Sequence, residues 1–128
     1  MSAMSDYLEN KVLDHVLANT TYVSPTTVYI GLSTGSFADD NSGTELTGNG
    51  YARQSMAFDA AVSGATDNTS NVDFPAATAS WGTVSHYGLF DALSGGNLLI
   101  HGAFTTSKTV ATGDILRIAA GELDITAA

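Results

Sequence analysis

Between Trp81 and Phe104 the chain carries its densest alternating pattern, and this stretch restricts the fold more than any other. Trp81, Thr83, Ser85, Tyr87 and Leu89 alternate with Gly82, Val84, His86, Gly88 and Phe90. Asp91 to Gly96 then gives a turn with two glycines, and Asn97-Leu98-Leu99-Ile100-His101-Gly102-Ala103-Phe104 returns. A side-chain period of two is the period of a strand. A glycine-bearing turn between two such runs specifies an antiparallel hairpin. Bulky residues fall on both of its faces. One face therefore calls for an opposing sheet, and the other for a helix or a neighbouring subunit.

Shorter segments supply the remaining strands. Thr27–Leu32 reads as the first strand and Tyr51–Ala60 as a second, with mixed side chains on both faces. Val72-Asp73-Phe74 ends at Pro75, which argues for a strand end or an edge. Thr105 to Thr109 is polar, and Ile115–Ile118 and Leu123–Thr126 give the final one or two strands. From Ser33 to Gly50 the chain has few apolar anchors, which predicts a long exposed loop with room for a short element around Phe37.

One segment has helical spacing. Asp6-Tyr7-Leu8-Glu9 fits a capping box in which Asp6 is the cap and Glu9 reaches back. Leu8, Val12, Leu13, Val16 and Leu17 then form a stripe, predicting an amphipathic helix over about residues 6–19. A helix this short is marginal alone in water, so its stripe has to dock. The expected architecture is mainly β: one domain over residues 1–128, a compact antiparallel sandwich or barrel-like fold with an N-terminal amphipathic α-helix.

Charge and composition narrow the function. Thirteen acidic residues face four basic ones, for a formal charge of -9. That balance repels phosphate backbones and anionic membranes, so neither nucleic-acid binding nor membrane insertion is expected. Cysteine is absent, which removes disulfides, thiolate nucleophiles and cysteine-ligated zinc. Met1–Asp6 has neither the basic start nor the apolar run of a secretion signal.

No motif points to catalysis or a cofactor. His86 and His101 lie on the two arms of the hairpin and could face each other, but no third ligand stands at a metal-site spacing; His15 lies near the helical stripe. Ser80, Ser85 and Ser94 lack a Gly-x-Ser-x-Gly elbow. Asp39, Asp40, Asn41 and Glu45 share one flexible segment, but their order does not match a helix-flanked calcium loop. Gly48-Asn49-Gly50 and Gly95-Gly96 lack the Gly-Lys-Ser/Thr ending of a phosphate loop. We therefore expect no catalytic, cofactor-binding or metal-ligating residues. The residues that matter are instead those of core or interface: Leu8, Val12 and Val16 on the helix, and Trp81, Tyr87, Phe90 and Phe104 on the hairpin. Exposure of Trp81 or Tyr22 would instead mark a glycan-binding module.

Ala79-Ser80-Trp81-Gly82-Thr83-Val84-Ser85-His86-Tyr87-Gly88-Leu89-Phe90-Asp91-Ala92, followed by Ser94-Gly95-Gly96-Asn97-Leu98-Leu99, resembles small virion proteins of tailed bacteriophages, often described as tail-fibre-like or decoration proteins. Thr112-Gly113-Asp114 and the ending Ala120-Gly121-Glu122-Leu123-Asp124-Ile125 continue the resemblance, as do Leu8-Glu9-Asn10-Lys11 and Tyr29-Ile30-Gly31-Leu32 at the front. The resemblance implies a non-enzymatic structural role in the virion. A short chain with no coiled-coil shaft, long repeats or large receptor-binding head suggests capsid decoration on the outer surface of the head. Its partners would then be the major capsid protein and copies of itself. The alternative is a tail, collar or tail-fibre component that contacts tail or fibre proteins.

Overall fold

The structure, a computed structural model, describes residues 2–127. A short strand β1 (Ser2–Met4) leads into helix α1 (Asp6–Val16), and the chain then forms β2 (Val28–Ser33), β3 (Gln54–Met56), β4 (Ala65–Asp67) and β5 (Val72–Asp73). The hairpin follows as β6 (Gly82–Phe90) and β7 (Leu98–Val110), and β8 (Arg117–Ile118) and β9 (Asp124–Thr126) close the order. Five strands form one antiparallel sheet in the order β1-β7-β6-β2-β3, while β4 pairs with β9 and β5 with β8 in two small ribbons. Among the described residues the large sheet stays open, ending at β1 and β3, so it is not a barrel.

The main core joins the sheet to the ribbons. Ile30 and Leu32 of β2 and Val84, Tyr87 and Leu89 of β6 cluster with Val72, Phe74, Leu116, Ile118, Leu123 and Ile125. Strict alternation along β6 does not hold. The register shifts between Val84 and His86, so Val84 and Tyr87 enter the same core although the period of two puts them on opposite faces. β7 absorbs the mismatch: it runs from Ala103 to Lys108 while the antiparallel β6 spans only His86 to Val84, so Phe104–Ser107 form a bulge from which Phe104 packs back against the core. The polar Thr105–Thr109 run is part of this strand and does not interrupt it.

A second shift falls between Leu89 and Phe90. Phe90 turns to the other side of the sheet and packs with Phe37 and Leu98 in a small separate core. There Gly31 and Gly88 are direct cross-strand partners. A Cβ on Gly88 would stand 2.9 Å from a Leu98 methyl and 3.0 Å from the Phe90 ring, so this pair must lack side chains for the aromatic residue to lie flat.

The 34–50 segment is the long, mostly exposed loop expected, and it is anchored over that second face at a few points. Phe37 is buried, the Leu46 N–H donates to the Leu32 carbonyl at 2.9 Å, and the Ser33 hydroxyl donates to the Thr44 carbonyl at 2.6 Å. The expected strand Tyr51–Ala60 shrinks to Gln54–Met56, because Tyr51 and Arg53 direct their side chains into a polar cluster and Phe58 forms an isolated bridge to Asn68.

The helix is shorter than expected, ending at Val16 with Leu17 as its C-cap. Its N-cap is Ser5, not Asp6: the Ser5 hydroxyl accepts from the Leu8 N–H at 3.2 Å and donates to the Leu98 carbonyl. Ser5 is favoured because it caps the helix and fastens it to β7 with one side chain.

Candidate functional site

The helix stripe expected to dock lies largely outside the core. No residue of α1 is buried. Leu8 is half-buried over an apolar crevice of about 280 Å³ that it shares with Tyr22, Phe58, Leu99 and Ile125. Val12 is 38% exposed, Leu13 55%, Val16 68% and Leu17 76%. A different face anchors the helix. Tyr7 meets Tyr22 edge-to-face at 6.5 Å, Lys11 sits over the Tyr7 ring, and the Tyr22 N–H donates to His15 Nδ1 at 3.1 Å. Two aromatic rings and a histidine do the work assigned to the aliphatic stripe, and this leaves the stripe facing solvent.

On the hairpin, Trp81, Tyr87 and Phe90 are each less than 10% exposed, and Phe104 is half-buried against the Tyr87 ring at 5.3 Å. The Trp81 indole N–H donates to the Asn49 carbonyl at 2.8 Å, and its ring meets the stacked pair Tyr51 and Phe74 edge-on. The exposed tryptophan that would mark a glycan platform is not present.

A polar cluster centred on Arg53 ties the loops of one end together. Its guanidinium binds Glu45 through two hydrogen bonds, at 2.9 and 2.7 Å, and donates to the carbonyls of Ala92 and Gly95 at 2.8 Å each. It also stacks 3.6 Å from the centre of the Phe90 ring. The Tyr51 hydroxyl donates to Glu45 and accepts from the Leu32 N–H, and burial, followed by the Glu45 bond, pushes its pKa up. One arginine thus fixes the hairpin tip, the 34–50 segment and the small core. The sequence offered one signal for this cluster, an arginine in a chain with four basic residues, and it gave no indication of the partner.

The residues considered for metal or catalytic chemistry are dispersed. His101 Nε2 lies 2.6 Å from Asp39, while His86 Nδ1 meets the Ser85 hydroxyl at 2.7 Å. The two histidines are not cross-strand partners, since His86 faces Ala103 and His101 faces Gly88. Asp40 accepts from Ser42, and this bond holds its carboxyl below the usual range. Glu45 is taken by Arg53, so the acidic residues of this segment do not converge. Among the described residues no group of three or more His, Cys, Asp or Glu could hold a metal ion, and no helix is long and apolar enough to cross a membrane.

A groove of about 460 Å³ opens beside the outer edge of β7. Its lining includes Tyr87, Ala103, Phe104, Thr106, Glu122 and Asp124. Burial pushes the Tyr87 hydroxyl up to about 12, and the nearby Asp124 charge adds to the shift.

The molecule is a small β-rich structural module, with an apolar helix face and an open strand edge turned outward. A family model described as podophage GP4 fiber I protein gp80 matches residues 3–126, and the chain belongs to that family. It is a bacteriophage structural protein of the fibre type. No curated protein sequence matches it.

Proposed function

We propose that this chain is a non-enzymatic subunit of the tail-fibre apparatus and joins other virion proteins through the exposed face of α1. The fibre family favours the tail over the head surface, so the expected partner shifts from the major capsid protein to tail or fibre proteins. The observation that carries the helix assignment is the exposure of Leu13 and Leu17, more than half accessible on an element otherwise fastened at both ends. Covering these two side chains in an interface would contribute about 1–2 kcal/mol each.

The test is a double substitution, Leu13→Glu with Leu17→Glu. Neither side chain is buried, so the fold and its unfolding temperature should stay close to those of the parent. Incorporation into phage particles should be lost. Particles that carry the variant at the parent level would remove α1 as the assembly surface.

A further inference from the structure

Helix α1 is held along one side and bare along the other. Tyr7, Leu8 and His15 meet Tyr22 or the apolar crevice, and Lys11 lies over the Tyr7 ring. Positions four apart share a helix face. Glu9, Leu13 and Leu17 therefore form one outward row, and beside it Val12 and Val16 continue the line of Leu8 out of the crevice. The bare surface is thus apolar over its C-terminal half.

Its charges are all of one sign. Asp6, Glu9 and Asp14 are exposed. Asp6 and Glu9 lie in the first turn, where the helix dipole favours a carboxylate, so the helix itself accounts for them. Asp14 is different. It stands beside Leu13 in the last turn, where the dipole disfavours negative charge, and among the described residues no cation pairs with it.

We propose that this face receives an amphipathic helix of a different virion protein, with aliphatic residues packed on Leu13, Val16 and Leu17 and a lysine or arginine opposite Asp14; this rests on the reading of α1 as the assembly surface. Packed helices seat aliphatic side chains among the i, i+3 and i+4 positions of the facing helix, which is the spacing left bare here. A cation at that place meets both the Asp14 carboxylate and the negative end of the helix dipole.

The same charges turn a second copy away. Antiparallel pairing that overlays Leu13 on Leu17 brings the two Asp14 carboxylates together across the seam, and parallel pairing sets Glu9 against Glu9. The formal charge of -9 adds to the repulsion.

The experiment places a benzophenone amino acid at Asn10, exposed one turn before Asp14, and carries that chain into phage particles for irradiation and mass spectrometry of the cross-linked peptides. The expected product joins this position to a lysine- or arginine-containing amphipathic segment of another virion protein. Asp14→Lys should lower its yield severalfold, and Asp14→Asn should lower it less. Lysine in the last turn suits the dipole, so circular dichroism of Asp14→Lys should show a helix at least as stable as the parent's, which separates a lost contact from a lost fold. A cross-link to another copy, to a segment without a basic residue, or with a yield that Asp14→Lys does not change overturns the proposal and leaves α1 as the assembly surface. So does the absence of any cross-link from particles that contain the chain. Particles that take up the chain with Leu13→Glu and Leu17→Glu at the parent level overturn both.

Discussion

Replacing Asn68 by alanine should destabilise the chain far more than the loss of one polar side chain would suggest. Asn68 is 1% exposed and sits where the two-stranded β4–β9 ribbon meets the loop before it. Its amide nitrogen donates to the carbonyls of Ser70 at 3.0 Å and Ala119 at 2.9 Å, and its oxygen accepts from the Leu123 N–H at 2.9 Å. Ser70 and Ala119 are exposed, so their carbonyls can recover water and each lost bond costs about 0.5–1.5 kcal/mol. Leu123 is 4% exposed, and its N–H is left without a partner at about 1–3 kcal/mol. The sum is about 2–6 kcal/mol, or roughly 7–22 °C in unfolding temperature for a chain of this length. The single tryptophan, Trp81, reports unfolding by fluorescence, because it is buried in the main core and lies away from the substitution. Asn68→Asp is the informative companion. It keeps the acceptor for Leu123 but turns carboxylate oxygen toward two carbonyls, so it should be worse than alanine at neutral pH and recover on acidification. A loss below about 0.5 kcal/mol for Asn68→Ala would refute the reasoning, because it would mean that the Leu123 N–H is satisfied without this side chain.

Two other perturbations test separate parts of the structure. Arg53→Met keeps an apolar stem over Phe90 but leaves Glu45 without its cation, at a cost of about 3 kcal/mol; hydrogen exchange at residues 91–97 should accelerate, and unchanged exchange there would contradict the role given to Arg53. The Asp67 carboxyl is held above the usual range, first by its hydrogen bond with Asp59, then by desolvation and the charges of Asp59 and Asp124. Its folded-state pKa is raised, so the parent gains stability as the pH falls through that value. Asp67→Asn should therefore stabilise the chain at neutral pH and flatten this rise, whereas a parent whose urea midpoint falls steadily with acidification in that window would contradict the repulsion.

The features legible in the sequence were those set by local pattern. The β6–β7 hairpin followed from alternation and the glycine turn, and the helix from its spacing. What the pattern missed depends on contacts distant in sequence. The bulge at Phe104–Ser107 changes which residues of β6 face the core, and a strict period of two cannot register an insertion carried by the partner strand. The choice of Ser5 as the cap depends on a carbonyl at Leu98, so Asp6 looked equivalent within the local window. The 34–50 segment is mostly solvent-facing, as its few apolar residues indicate, but its anchors, Phe37 on Phe90 and Glu45 on Arg53, are contacts distant in sequence that the local pattern does not show. The exposed helix face follows the same rule: an apolar stripe predicts burial against something, and spacing does not say whether that surface belongs to the same chain.

The most direct test of the central claim is the number of copies of this chain per purified particle, counted with isotope-labelled peptides and normalised to the major capsid protein. A fibre-type subunit of the tail predicts a few to a few tens of copies, fixed from particle to particle. Hundreds of copies, scaling with the capsid lattice, would contradict the tail assignment and return the chain to the head surface.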